Sequence, residues 1–321
     1  MEECVIEGIR GIQEMMEREQ YVTDRAIATT AYLAMELRKP ILIEGQAGVG
    51  KTEIAKVLAS ALNTELIRLQ CYEGLDVNTA LYEWNYPKQM LRIKMEEGSR
   101  KDADEQESLI FSDSFLLKRP LLRAITAEDK PPVLLIDEVD RSDEEFEAFL
   151  LEVLSDFQVT IPELGTIRAR HRPYVVLTSN RTRELSDALK RRCLYLWIDY
   201  PSFDKELRIL TTKVPGINDR LARQVAMFMQ AVRQVKLNKT PGVAETLDWA
   251  MSMMALHQDH LEQETVRETL GAFIKDRDDV ARLSGKALEV LVGGMNGAED
   301  EDVTQWTQSV TQRLEREVAT R

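Results

Sequence analysis

Between Gly45 and Thr52 the chain reads GQAGVGKT, directly after the apolar run ILIE and directly before residues at helical spacing. The pattern G-x-x-x-x-G-K-[ST] is met at every fixed position. It constrains the fold, because its chemistry needs a buried strand on one side and a helix on the other. Glycines let the backbone wrap closely enough for its N–H groups to point at a phosphate. The N-terminus of the following helix adds its dipole. Lys51 is then placed to reach β- and γ-phosphates as a point charge, and Thr52 to offer its hydroxyl to Mg²⁺. Gly45, Gln46, Ala47, Gly48, Val49, Gly50, Lys51, Thr52 and Glu53 are therefore the candidate residues for holding ATP. A glycine turn beside an unrelated lysine is the alternative.

The surrounding pattern agrees with such a strand. Short runs rich in Ile, Leu, Val and Tyr occur at Ile41–Glu44, Leu66–Cys71, Val133–Asp137, Tyr174–Ser179 and Leu194–Tyr200. They read as strands buried on both faces. Helical spacing lies between them: Ile54, Val57, Leu58 and Leu62, then Phe146, Phe149, Leu150 and Val153. Alternating strands and helices predict an α/β fold, a parallel sheet with helices on both faces. From Pro201 the strand signals stop. Asn218–Lys236 and Val243–His257 carry apolar stripes, so residues 201–294 read as a small all-helical domain following an α/β domain over 1–200. Residues 295–321 read as an acidic linker, NGAEDEDVTQ, and a charged helix, Trp306–Val318, acting as a mobile tail or a docking element. Two interruptions fall inside the first domain. Residues 72–113, with Gly74, Pro87, Gly98 and the charge run KDADEQE, form an insertion. Residues 158–170, centred on IPELG, read as a hairpin.

Three further motifs carry chemistry. In PPVLLIDEVDR an apolar strand ends in Asp137, able to hold Mg²⁺ through water, and Glu138 follows, placed to polarise an attacking water. On its own this could be a strand end with solvated acids. Beside the phosphate loop, both acids would share the carboxyl edge of one sheet. PYVVLTSN ends in Asn180, which could sense a γ-phosphate or simply cap a turn. ALKRRCLYLWIDYP places Arg191 and Arg192 before the last strand. In a ring of subunits one of them could reach a neighbour's γ-phosphate; otherwise they form a solvated basic cluster.

Composition limits the partners. The 321 residues carry a net charge of −13, which gives no general attraction to nucleic-acid backbones, although a local basic groove stays open. No apolar run is long enough to span a bilayer, and the acidic, amphipathic N-terminus does not read as a signal peptide, so a cytoplasmic location is the default expectation and membrane attachment at most indirect. Cys4, Cys71 and Cys193 show neither metal-ligand nor disulfide spacing and read as small hydrophobes.

The order of phosphate loop, DEVDR, hairpin, TSN, double arginine and DYPSFDKELRIL resembles the AAA+ ATPase superfamily and, within it, the MoxR family, over about Tyr21 to Gly294. TPGVAETLDWA looks most like the CoxD-type branch, linked to maturation of a molybdenum-containing carbon monoxide dehydrogenase. The resemblance implies a P-loop NTPase (AAA+) fold with a C-terminal lid, and a ring, a hexamer, with ATP between subunits. A partner with a von Willebrand factor A (VWA) domain and a chaperone-like role toward a metallo-enzyme client follow from it. Residue by residue, it implies phosphate binding by Gly45–Thr52, Mg²⁺ binding by Thr52 and Asp137, and Glu138 as catalytic base. Asn180 would be the sensor, Arg192 the trans-acting finger with Arg191 its rival, and Arg141 a further interface arginine. It also places the insertion and the hairpin toward a pore or partner face. One position departs: where many AAA+ lids carry a nucleotide-contacting arginine, this chain has Glu245. Other readings are a nucleic-acid motor, for which Lys88, Arg92 and Lys94 on the insertion speak, and a regulatory module that holds ATP without cleaving it.

Overall fold

The computed structural model describes residues 2–96, 109–294, 306–307, 309–310 and 312–313. The charge run KDADEQE and most of the tail lie outside these. By its contacts the chain divides into two compact units. One comprises Met1–Glu19, Thr23–Gly45 and Lys51–Trp197, the other Gln20–Val22, Gln46–Gly50 and Ile198–Arg321.

The first unit runs α1 (Glu2–Arg18), α2 (Arg25–Leu37), β1 (Ile41–Gly45), α3 (Lys51–Ala61), β2 (Leu66–Gln70), α4 (Val77–Ala80), β3 (Tyr82–Trp84), α5 (Tyr86–Glu96), β4 (Leu116–Lys118), α6 (Pro120–Ile125) and β5 (Val133–Asp137). It continues through α7 (Glu144–Asp156), β6 (Gln158–Ile161), β7 (Gly165–Arg168), β8 (Tyr174–Ser179), α8 (Asp187–Arg192) and β9 (Leu194–Ile198). The five strands read from the sequence make one parallel sheet in the order β2-β5-β8-β1-β9. Strand β1 and the acid-bearing β5 thus flank β8, whose end carries Asn180. The three central strands are buried almost throughout, as continuous apolar runs should be.

The two outer strands correct the sequence reading. β2 alternates, exposing Arg68 and Gln70, and β9 exposes Tyr195 and Trp197. Each has a neighbour on one side only, so alternate side chains meet solvent. Helix α7 starts where Asp143 accepts from the Phe146 N–H at 2.8 Å, and buries Phe146, Leu150 and Val153. Strands β3 and β4 pair antiparallel, as do β6 and β7, the latter turning at Gly165 with φ +77°.

The second unit contains α9 (Phe203–Lys213), α10 (Asp219–Val232), α11 (Val243–Ala255), α12 (Gln263–Phe273), α13 (Arg277–Leu283) and α14 (Lys286–Gly293). Its core centres on Phe228, Trp249 and Phe273, with ring centroids 4.5 to 5.7 Å apart. Trp306 and Val310 are buried in the same core, and Trp306 Nε1 donates to the Gly294 carbonyl at 2.7 Å. At these two positions the tail is anchored, because a residue pair four apart lays both side chains on one helical face. A buried ion pair, Arg233 with Glu206, fixes the start of α11: the guanidinium also donates to the Pro241 carbonyl at 2.9 Å and to Thr246 Oγ1 at 3.0 Å. No helix among the described residues is long and apolar enough to cross a membrane.

Candidate nucleotide site

The phosphate loop has the backbone its glycines permit. Gly48 and Gly50 hold φ of +76° and +91°, a region closed to most side chains. Lys51 opens α3 and folds back, its Nζ donating to the Gly45 carbonyl at 2.8 Å, so the ammonium closes the loop from within. Burial lowers its pKa, and the fields of Asp140, Asp137 and Glu138 oppose that shift. Glu53 lies in the same first turn of α3 and pairs with Lys56 at 3.3 Å.

Gln46–Gly50 belong to the second unit. The Gly48 carbonyl accepts from Val243 N at 2.8 Å and Ala244 N at 3.3 Å, the first free donors of α11. A Cβ on Gly242 would stand 2.7 Å from the Gly48 Cα and carbonyl carbon, backbone that cannot turn aside. Glu245, the residue at the departing lid position, accepts from Gly242 N at 2.9 Å, the half of a capping box that a glycine N-cap allows. Gly242→Ala, acceptable at its φ of −89°, should therefore displace the loop. Overpacking of about 1–3 kcal/mol predicts ATP affinity weakened about tenfold by calorimetry, with the far-UV spectrum unchanged.

At the carboxyl end of β5, Asp137 is buried, and its Oδ1 accepts from Thr52 Oγ1 at 2.9 Å and from Thr178 Oγ1 at 2.6 Å. A hydroxyl and a carboxylate oxygen this close, at the mouth of a phosphate loop, suit a hard cation that keeps several waters. Glu138 follows in the left-handed region, φ 55° and ψ 50°, a strained conformation for glutamate. Its N–H is held by Thr178 Oγ1 at 2.9 Å. Its carboxylate accepts from Arg141 Nε at 2.9 Å, Gln70 Nε2 at 3.2 Å and Asn180 Nδ2 at 3.4 Å. The fold thus brings together Thr52, Asp137, Glu138 and Asn180, four residues chosen from three separate motifs. Arg191 and Arg192 stand apart at the exposed end of α8, where Arg192 Nε donates to Ser155 Oγ at 2.9 Å.

Sequence reading missed four participants. Arg68 and Gln70 project from β2 toward Asp137 and Glu138. Thr178 lies two residues before Asn180, inside a run that reads as core. Asp140 stands in DEVDR itself but beyond the strand end. It is buried and accepts from Asn180 N at 3.2 Å, Thr182 N at 2.8 Å and Thr182 Oγ1 at 2.7 Å, so it shapes the turn that presents Asn180. Asp140→Ala would orphan these donors. A loss of about 3 kcal/mol is expected in urea unfolding, with slower ATP turnover as Asn180 shifts. Cys71 abuts the site, but burial, aided by the nearby acids, pushes its thiol pKa up to about 12, which keeps it protonated and inert.

A β-strand, a glycine loop closed by a lysine and a second strand ending in paired acids define the P-loop class of nucleotide-binding folds. More narrowly, residues 40–193 match the family described as AAA domain (dynein-related subfamily). An uncharacterized protein of Staphylococcus haemolyticus is similar at 26% identity over 226 residues, 68% of this chain and 78% of the relative. One from Staphylococcus aureus is similar at 25% over 218 residues, 66% and 74% of the two chains. Among solved structures, the Thermotoga maritima RuvB Holliday junction branch migration motor is 17% identical with a TM-score of 0.45, over 92% of this chain and 87% of that one. Domain III of the Thermotoga maritima replication initiation protein DnaA is 15% identical with a TM-score of 0.44, over 80% and 96%.

Proposed function

We propose that this protein binds ATP with Mg²⁺ at Gly45–Thr52 and Asp137 and hydrolyses it. The observation that carries the reading is the convergence of Asp137, Glu138 and Asn180, at the ends of adjacent strands, with Thr52 in the first turn of the helix that follows a lysine-closed glycine loop. Gly45, Gln46, Ala47, Gly48, Val49 and Gly50 present backbone donors to the phosphates, with Glu53 in the first turn behind them. Lys51 supplies the fixed positive charge. Thr52 and Asp137 would hold Mg²⁺, which when bound neutralises charge developing on the phosphoryl oxygens. Glu138 takes a proton from the attacking water, and Asn180, within reach of the same carboxylate, orients that water. Arg192, with Arg191 as its rival, acts on the neighbouring subunit's nucleotide in a ring, and AAA+ proteins typically assemble into rings. Measured ATP turnover, with and without Mg²⁺, tests the central claim. A preparation that forms no ADP would leave only the non-hydrolysing regulatory reading.

The role of this turnover is read from the sequence resemblance. DEVDR, the double arginine, DYPSFDKELRIL and TPGVAETLDWA support a MoxR-type chaperone of the CoxD-like branch, hexameric and cytoplasmic, that works with a VWA-domain protein to activate a metallo-enzyme, a molybdenum hydroxylase such as carbon monoxide dehydrogenase. Capture of such a pair by an ATP-locked variant tests it. A second reading has one observation in its favour: α5 carries Lys88 and Lys94 exposed, with Arg92 between them. ATP turnover stimulated by DNA or RNA would favour a nucleic-acid motor instead.

A further inference from the structure

Donors from this chain meet the Asp137 carboxylate on both oxygens. Oδ1 accepts from the Thr52 and Thr178 hydroxyls, and Oδ2 accepts from Arg68 Nε at 3.0 Å and Nη2 at 2.5 Å. A carboxylate has about four lone-pair directions, so these four donors fill it. The donors differ in kind. A threonine hydroxyl can rotate toward a cation while staying in place. Arg68 is itself a cation, held by a two-pronged grip on a single oxygen.

The geometry of β2 makes that grip reversible. Arg68 lies on the edge strand, and its Nη2 also donates to Gln70 Oε1 on the same face. Its side chain is 51% exposed, whereas that of Asp137 is 3% exposed. A carboxylate so deeply buried requires a compensating positive charge. Arg68 supplies one from the solvent side, and a divalent cation would supply another at the same acid. Two cations within a few ångströms repel each other, so the two are alternatives.

We propose that Arg68 is a positioning residue that competes with the divalent cation for Asp137 and so sets the Mg²⁺ concentration at which the site loads. Its guanidinium swings off Oδ2 into the solvent that already wets half its length as the acid turns to the metal's water. This rests on the reading of Asp137 as the cation-binding acid.

The test titrates Mn²⁺, a paramagnetic stand-in for Mg²⁺, into the full chain with saturating ADP, reading free Mn²⁺ by electron paramagnetic resonance. Arg68→Gln is expected to bind Mn²⁺ about tenfold tighter, the scale of one charge removed at a half-exposed site. Arg68→Lys keeps the charge but loses the fork, and should be about threefold tighter; it carries the test if the Gln variant does not fold. Unchanged or weaker Mn²⁺ binding in the folded variant overturns the proposal. Asp137→Asn in the same titration reports on the underlying reading separately: if it keeps wild-type Mn²⁺ affinity, the assignment of Asp137 fails rather than that of Arg68.

Discussion

A Lys51→Ala protein is expected to bind ATP about a hundredfold more weakly and to release no phosphate above background. A hundredfold corresponds to about 3 kcal/mol, within the range for removing one partner from a buried charge-assisted contact. Lys51 is buried, and its Nζ lies 2.8 Å from the Gly45 carbonyl, so the ammonium is fixed before any phosphate arrives. A surface lysine would first lose the entropy of a long side chain; this one has already been ordered by folding. Titration with a fluorescent ATP analogue gives the affinity, and a thermal melt of the same sample checks the fold. Full affinity together with undiminished turnover would remove the phosphate loop as the site, and with it every role assigned around it.

Glu138→Gln should behave differently: ATP binding close to wild type, and turnover lower by about 10²–10⁴-fold, the usual contribution of a positioned base. Shape is conserved, and the side-chain oxygen of Gln can still accept from Gln70, Arg141 or Asn180, so a general collapse of the site is not expected. The backbone argues in the same direction. A glutamate held at φ 55° and ψ 50° costs of order 1–3 kcal/mol, a strain that the Thr178 bond to its N–H helps to maintain. Single-turnover phosphate release separates the chemical step from product release. Equal rates in the two proteins would end the assignment of Glu138 as base. Loss of binding and rate together would instead make it a structural acid. The same variant, loaded with ATP, is the natural bait for the partner pair proposed above.

What could be read from the chain alone is local in its physics. GQAGVGKT demands glycine at the turning points and a strand and helix around them, and the two positive φ values fall on Gly48 and Gly50. Apolar runs located the five sheet strands, because a buried strand needs no information beyond its own side chains. Asp137, Glu138 and Asn180 were legible since each stands at, or one residue beyond, the end of such a run. The tertiary structure alone decided which strands stand at the edges, and so why β2 and β9 alternate. It also decided that Arg68 and Gln70 face the two acids and that Asp140 holds the turn bearing Asn180. The meeting of Gly48 with Gly242 and the burial of Trp306 and Val310 belong to the same class. Periodicity reports which face of an element is apolar; it does not say which element lies across from it. Those contacts arise from pairings distant in sequence, set when the sheet orders its strands and the helices close over their core.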